Sequence, residues 1–154
     1  MGIEIERKFL VRHDDWKSMG KGVLLRQGYL SSVPERTVRV RIEDDKAMLT
    51  VKGRNRGATR AEWEYPLPVV DAQAMLDTLC ERPVIEKYRY RIPWQGMLWE
   101  VDEFLGENAG LVVAEIELAS EHQDFVKPEW VGEEVTHDPR YFNANLLRHP
   151  FTRW

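Results

Sequence analysis

Several short stretches of the chain alternate charged and apolar residues, and this period of two is typical of β-strands. The first stretch, IEIERKFLV, places Glu4, Glu6 and Lys8 on one side of a strand and Ile5 and Phe9 on the other. Each strand of this kind has one strongly charged side and one largely apolar side. The fold must therefore bury the apolar sides and give the charged sides a polar environment.

The same alternation recurs along the chain and predicts about eight strands. The later charged sides carry, in order, Arg39, Arg41 and Glu43; Lys52; Glu62 and Glu64; Lys87, Arg89 and Arg91; Glu100 and Asp102; and Glu115 and Glu117. The opposite sides carry mostly valine, leucine, isoleucine, tryptophan or tyrosine. Within one strand the charges mostly share a sign.

Three other segments carry helical signals. The stretch DAQAMLDTLCE has apolar residues at helical spacing, with Asp71 as a candidate N-cap. The stretch SEHQ matches a capping box and predicts a short helix near Phe125. The stretch DPRYFNANLLRH predicts a final helix. The sequence therefore predicts a mainly β (α+β) protein with a few helices.

Two arrangements are compatible with the charged sides of the strands. In an open sheet or a sandwich these sides would face water. In a closed barrel of about eight strands they would line an interior that holds one small ligand. The same-sign charges within each strand favour the barrel, because solvated faces more often mix signs and include uncharged polar residues.

An enclosed lining of this composition also indicates what it binds. Unpaired ions in a dry core cost several kcal/mol each, so such an interior must be wet and must hold a ligand. Arginine and lysine suit a polyanion, and arginine makes bidentate contacts to phosphate. Clustered carboxylates suit hard divalent cations such as Mg²⁺. A polyphosphate together with Mg²⁺ or Mn²⁺ satisfies both halves of the lining.

The remaining features of the sequence exclude several classes of protein. A formal net charge of −4 gives no general affinity for nucleic acid. Cys80 is the single cysteine, and no secretory signal or membrane-spanning apolar run stands out, so we expect a cytoplasmic protein. The length of 154 residues predicts one domain, residues 1–154. The histidines lack the ligand spacing of a zinc site, and no glycine-rich phosphate loop occurs.

The sequence resembles a known family. The stretch EIERK at positions 4–8 matches the ExExK signature of the CYTH superfamily, the triphosphate tunnel metalloenzymes. The similarity continues in order through LRQGYL, VRVR, TVKG, EWEY, EKYRYR, WEVDEF, VAEIEL and GEEVTHDPRYFNANL. The resemblance implies an eight-stranded antiparallel closed barrel with a few peripheral helices, whose tunnel binds a triphosphate with a divalent metal, Mg²⁺ or Mn²⁺.

The resemblance also implies roles for individual residues. The metal ligands would be Glu4, Glu6, Glu115 and Glu117, of which Glu117 holds a second metal or the attacking water. The phosphate-binding residues would be Lys8, Arg39, Arg41, Lys52, Lys87 and Arg89. Tyr29 and Lys87 match a pair proposed to act in proton transfer. We expect Glu62, Glu64, Glu100 and Asp102 to line the same tunnel.

The implied activity is hydrolysis of inorganic triphosphate to pyrophosphate and phosphate. Three alternatives stay open: hydrolysis of an organic triphosphate such as thiamine triphosphate or a nucleoside triphosphate, class IV adenylyl cyclase activity, and non-catalytic polyphosphate binding. Trp16 or Trp94 would stack on an organic group, whereas the short chain favours a small substrate. A binding module would keep the basic residues but could lose carboxylates. Aromatic residues on the outer sides of the strands are compatible with a homodimer.

Overall fold

The computed structural model describes residues 2–154, and this part of the chain forms a nine-stranded antiparallel sheet with two α-helices. The strands are β1 (Ile3–Val11), β2 (Val23–Val33), β3 (Arg36–Glu43), β4 (Lys46–Gly53), β5 (Thr59–Leu67), β6 (Ile85–Trp94), β7 (Met97–Phe104), β8 (Val112–Glu117) and β9 (Val131–Glu134). The helices are α1 (Val69–Thr78) and α2 (Asn143–Arg148). Short 3₁₀ helices cover Asp15–Ser18, Gly106–Asn108, Pro139–Tyr141 and Phe151–Arg153.

The sheet closes on itself through β1. Strand neighbours run β5-β4-β3-β2-β6-β7-β8-β1, and β1 also pairs with β5, so these eight strands form a closed barrel. The β1–β5 seam is short, with residues Ile3–Ile5 paired to Thr59–Ala61. The ninth strand, β9, pairs with the second half of β1 outside this circuit. The predicted eight-stranded antiparallel closed barrel is thus confirmed, with one additional strand.

The outer, apolar sides of the strands are covered by the connecting segments. Phe9 of β1 and Trp99 of β7 pack edge to face at 5.6 Å, and Trp130 lies 6.0 Å from Trp99. On the other side of the barrel, Leu76 of α1 packs with Val40 of β3. The apolar residues of the alternating pattern are therefore buried on the outside of the barrel, beneath α1 and the connecting segments.

Apolar residues also cover one end of the barrel interior. Ile85, Phe104 and Val113 lie on the same sides of their strands as the charged residues. They form one buried cluster with Leu146 and Leu147 of α2. Helix α2 therefore covers this end of the barrel, and the charged part of the interior lies beyond it.

The structure corrects two helix predictions. Helix α1 begins at Val69 after Pro68, so Asp71 lies in its first turn and does not cap it. No helix forms near Phe125, because this ring packs against Phe9 and Trp99 and holds the segment irregular over the barrel. The predicted final helix is present as α2, preceded by the 3₁₀ turn at Pro139–Tyr141. Within residues 2–154 no helix is long and apolar enough to cross a membrane.

Candidate active site inside the barrel

The charged sides of the strands surround a cavity of about 450 Å³. Its acidic lining residues are Glu4, Glu6, Glu62, Glu64, Glu100, Glu115 and Glu117. Its basic lining residues are Lys8, Arg39, Arg41, Lys52, Arg54, Arg60, Lys87, Arg89 and Arg91. The charged sides therefore face an enclosed space, as the barrel arrangement predicts, and the solvated-sheet alternative is wrong.

The register between strands places opposite charges next to each other. Lys8 of β1 lies opposite Glu115 of β8, and Lys52 of β4 lies opposite Glu62 of β5. Cross-strand neighbours on one side of a sheet have closely spaced Cβ atoms, so these pairs follow from the pairing itself. Glu6 is an exception, because its partner across the β1–β8 ladder is another carboxylate, Glu117.

Two lysines each join a pair of carboxylates. The Nζ of Lys8 lies 2.9 Å from Glu6 and 3.0 Å from Glu115. The Nζ of Lys52 lies 3.1 Å from Glu4 and 3.3 Å from Glu62. Burial by itself would lower the pKa of Lys8, but the carboxylates of Glu115 and Glu6 outweigh burial and raise it. The two lysines therefore offset only part of the negative charge of the seven lining glutamates, which we call the acidic wall.

Asp102 holds two cations beneath the wall. Its side chain is fully buried, lies 2.7 Å from the Nζ of Lys87, and accepts two hydrogen bonds from Arg89 at 2.8 and 2.9 Å. Burial raises the pKa of Asp102, yet Arg89 and Lys87 together lower it to about 2. Asp102 is not among the residues that line the cavity, which corrects its predicted place in the lining. Asp102 is buried because it lies next to the apolar end of the barrel: Phe104, two residues later on the same side of β7, belongs to the apolar cluster.

The ammonium group of Lys87 loses its proton more easily than that of an ordinary exposed lysine. Burial and the nearby Arg89 lower its pKa to about 8, although Asp102 acts in the opposite direction. Its Nζ also donates to Oδ1 of Asn143 at 2.9 Å, which ties the start of α2 to the barrel. Asp102 thus serves both Lys87 and Arg89, and a second carboxylate, that of Glu100, lies 3.5 Å from Arg89.

Two other arginines of the lining, Arg39 and Arg41, have no carboxylate closer than 3.9 Å among the described residues. Within residues 2–154 no acidic oxygen lies within 4.0 Å of Arg41, and the nearest carboxylate contact of Arg39 is Glu64 at 3.9 Å. The charge of Arg39, together with burial, lowers the pKa of Arg41 to about 10. Cations that repel each other in a confined space attract an anion, because the anion relieves the repulsion.

The acidic side of the cavity has a matching surplus of negative charge. Partial burial and the carboxylates of Glu4, Glu6 and Glu100 raise the pKa of Glu117. Within residues 2–154 no three acidic, histidine or cysteine side chains already converge as a metal site. Mg²⁺ usually takes one or two carboxylates and completes its shell with phosphate oxygens and water. The oxygen donors on this wall therefore fit such a cation without a preformed cluster.

Tyr29 and Lys87 do not meet directly. Tyr29 is 4% exposed and lies opposite Arg39, whereas Lys87 lies opposite Leu25, four residues earlier in β2. No hydrogen bond joins the Tyr29 and Lys87 side chains among the described residues. Tyr29 lines the cavity, and its role in proton transfer stays a prediction.

The structure also adds residues that the sequence interpretation omitted. Ser32, Thr37, Arg60 and Asn143 line the cavity. Arg60 shares its side of β5 with Glu62 and Glu64, so the alternation could have revealed it. Asn143 lies outside any alternating strand, and its position is visible only in three dimensions. The two tryptophans proposed to stack on an organic group are not in the lining: Trp16 is buried, and both pack in the outer cluster with Trp99.

Comparison with known proteins agrees with this geometry. Residues 2–150 match the CYTH domain, and the chain belongs to the CYTH family. It is 56% identical to an inorganic triphosphatase from Acetivibrio thermocellus over 98% of this chain and 97% of the relative. It is 38% identical to an inorganic triphosphatase from Nitrosomonas europaea over 93% of this chain and 95% of the relative.

A solved structure has the same fold. The crystal structure of the inorganic triphosphatase NE1496 superposes with a TM-score of 0.65 at 36% sequence identity. The match covers 93% of this chain and 96% of that chain. The family resemblance inferred from EIERK and the ordered segments after it is confirmed.

Proposed function

We propose that this protein is a triphosphatase that hydrolyses inorganic triphosphate to pyrophosphate and phosphate inside the barrel. The main support is an enclosed cavity in which cations crowd around Arg41 and carboxylates crowd around Glu117. The relatives named inorganic triphosphatase, at 56% and 38% identity, support the same activity.

The basic residues would hold the phosphoryl groups. The proposed phosphate-binding residues are Lys8, Arg39, Arg41, Lys52, Lys87 and Arg89. Arg39 and Arg41 are the least neutralised of these, so a triphosphate gains most by contacting them. Lys8 and Lys52 each contact two carboxylates, and the three N–H donors of an ammonium group leave one for a phosphate oxygen.

A divalent cation, Mg²⁺ or Mn²⁺, fits the acidic wall. We assign its binding to Glu4, Glu6, Glu115 and Glu117, of which Glu6 and Glu117 already lie opposite each other. When bound, such a cation neutralises charge on phosphoryl oxygens and supports in-line displacement. Glu62, Glu64 and Glu100 complete the lining, and we propose that they balance the basic residues.

The chain's own residues can move the protons of this reaction. Water attacks the terminal phosphorus, the bond to the bridging oxygen breaks, and phosphate and pyrophosphate are released. Glu117 would orient this water and accept its proton, since a raised pKa makes a carboxylate a better base. Lys87 would give a proton to the leaving oxygen, because its pKa of about 8 leaves it mostly protonated at neutral pH. Tyr29 would position the terminal group beside Arg39.

Phosphate release from tripolyphosphate tests this proposal. The purified protein with Mg²⁺ or Mn²⁺ should release phosphate, and removing the metal with a chelator should stop the release. Glu4→Gln and Arg39→Ala should each remove most of the activity, because the first removes a proposed metal ligand and the second a proposed phosphate contact. Arg56→Ala is the matched control, since this arginine is exposed and does not line the cavity. Wild-type rates from both site variants would contradict the assignment.

Parallel substrates separate the alternatives. We expect slower turnover of ATP and thiamine triphosphate, because neither tryptophan proposed for stacking lines the cavity. Formation of cyclic AMP from ATP would favour the cyclase instead. Binding of tripolyphosphate without turnover of any of these substrates would favour a polyphosphate-binding module.

The setting of the protein follows from simpler features. We propose that residues 1–154 act as one domain, without nucleic acid or membrane partners. The single Cys80 has no partner cysteine in the chain, which fits a reducing cytoplasm. Trp63 and Tyr65 are 46% and 55% exposed on the outside of β5, and they are candidates for a homodimer contact.

A further inference from the structure

Arg60 lies at the seam where the barrel closes. It is on β5, directly opposite Glu4 of β1, and its side chain lines the cavity. Glu4 does not neutralise it, because the Glu4 carboxylate bonds to Lys52 at 3.1 and 3.4 Å. Among residues 2–154 no acidic oxygen lies within 4.0 Å of the Arg60 guanidinium. Arg60 is thus a cation of the lining without a carboxylate partner.

The guanidinium of Arg60 is only partly satisfied. Its Nη2 donates to Oγ1 of Thr37 at 3.2 Å, whereas its Nε is buried and has no acceptor among the described residues. A buried charged donor without an acceptor is costly, and because Arg60 lines the cavity, a water molecule or a ligand there can supply the acceptor. This donor points to an anion that binds in the cavity.

Arg39 repeats this arrangement. It is 9% exposed, its Nη2 donates to Thr50 at 3.3 Å, and its Nε is buried without an acceptor. Arg39 lies near Arg60, since Arg60 donates to Thr37, which is two residues before Arg39 on the same side of β3. Two guanidinium groups of like charge, each with a free Nε donor, therefore face the same part of the cavity.

This part of the cavity lies toward α2. Thr37, which accepts from Arg60, is opposite Ser32 of β2, and Ser32 accepts a hydrogen bond from Arg148 of α2. We infer that Arg60 and Arg39 together form a subsite for one phosphoryl group of inorganic triphosphate, toward the end of the cavity that α2 covers. This inference rests on the proposed function, and it adds Arg60 as a substrate-positioning residue.

The chemistry of arginine specifies the ligand class. A guanidinium offers Nε and Nη donors in a fixed fork that matches two oxygens of one phosphoryl group. Chloride would not use this fork, and a carboxylate would not relieve two adjacent cations as well as a multiply charged phosphate. Lysine at position 60 would keep the charge but lose the fork.

Steady-state kinetics and binding measurements test the subsite. Arg60→Gln should raise the KM for tripolyphosphate by at least about tenfold, the loss expected for one charge-assisted contact. Arg60→Lys should recover part of this loss. Arg56→Gln is the matched control, because this exposed arginine lies just before β5, does not line the cavity and should leave KM unchanged. Calorimetric titration with tripolyphosphate, without metal, should show the same order of affinities.

A second variant separates substrate contact from a structural role. Thr37→Val removes the observed hydrogen bond of Arg60 but keeps its guanidinium, so it should change KM by less than about threefold. If Thr37→Val raises KM as much as Arg60→Gln does, Arg60 acts by holding the wall, and the subsite is overturned. Thermal unfolding of both variants shows whether either loses the fold.

The outcomes distinguish this inference from the proposed function. If the wild type hydrolyses tripolyphosphate and Arg60→Gln matches Arg56→Gln in KM and affinity, the subsite is overturned while the function stands. If the wild type binds tripolyphosphate through Arg60 but releases no phosphate, the subsite is supported and the hydrolysis is overturned.

Discussion

The Asp102→Asn substitution should destabilise the protein far more than its single lost charge suggests. In the folded protein the pKa of Asp102 is about 2, against an ordinary value of 3.8, because Arg89 and Lys87 outweigh the effect of burial. A shift of about 2 pKa units corresponds to about 2.5 kcal/mol of stability. Removing one partner of a buried ion pair costs about 3–5 kcal/mol in measured cases, which is the same order.

The pH dependence of this stabilisation has a definite sign. The folded pKa of Asp102 is lower than the unfolded one, so its contribution is fully present above about pH 4. The contribution disappears as the pH falls from about 4 to about 2, where the carboxylate is protonated in both states. The Asp102 part of the difference in stability between wild type and Asp102→Asn should therefore shrink as the pH falls from about 4 to about 2.

Urea unfolding of both proteins at several pH values measures this effect. Glu107→Gln is the control, because it removes a surface ion pair with Arg153 and should cost less than about 1 kcal/mol. The Asp102→Asn variant should also lose activity, since the Lys87 pKa falls further once Asp102 no longer raises it. Equal unfolding free energies for Asp102→Asn and Glu107→Gln at pH 7 would refute the reasoning.

Two further predictions concern the base and the cover of the site. The pH–rate profile should have an acid limb, because Glu117 must be ionised to act as the base; in the metal-free protein, burial and the carboxylates of Glu4, Glu6 and Glu100 raise its pKa. Glu117→Gln should lower kcat and abolish that limb, and an unchanged limb would exclude Glu117 as the base. Leu146→Ala, at a fully buried position of α2, should cost about 2–5 kcal/mol in chemical denaturation. A cost below about 1 kcal/mol would show that α2 does not cover the barrel end tightly.

The sequence predicts the walls of the cavity well, because a strand has a period of two. Once Lys8, Arg39 and Glu115 share a side with other charges, the closed barrel brings them together, and the structure places all three in the lining. The alternation does not tell where along the barrel axis a residue lies. The alternation therefore predicts Asp102 in the lining. In the structure, the apolar end covered by α2 begins at Phe104, two residues after Asp102.

Other differences come from tertiary contacts that override local patterns. Strand β9 has no alternating apolar residues and was missed; its pairing is supported by the two hydrogen bonds from Arg7 to Glu134, at 2.8 and 2.6 Å. The capping-box pattern before Phe125 favours a helix locally. The packing of Phe125 on the barrel is worth more than that local preference.

The short seam between β1 and β5 ties completion of the fold to the appearance of the acidic wall. Lys8 and Glu115, which meet across the other border of β1, are 107 positions apart in the chain. Contacts between such distant positions form slowly, since a long loop must close first. We therefore expect Glu4 and Glu6 to reach their places among the last side chains during folding, so that a molecule whose first strand has not docked has neither a sealed ring nor a site for cations.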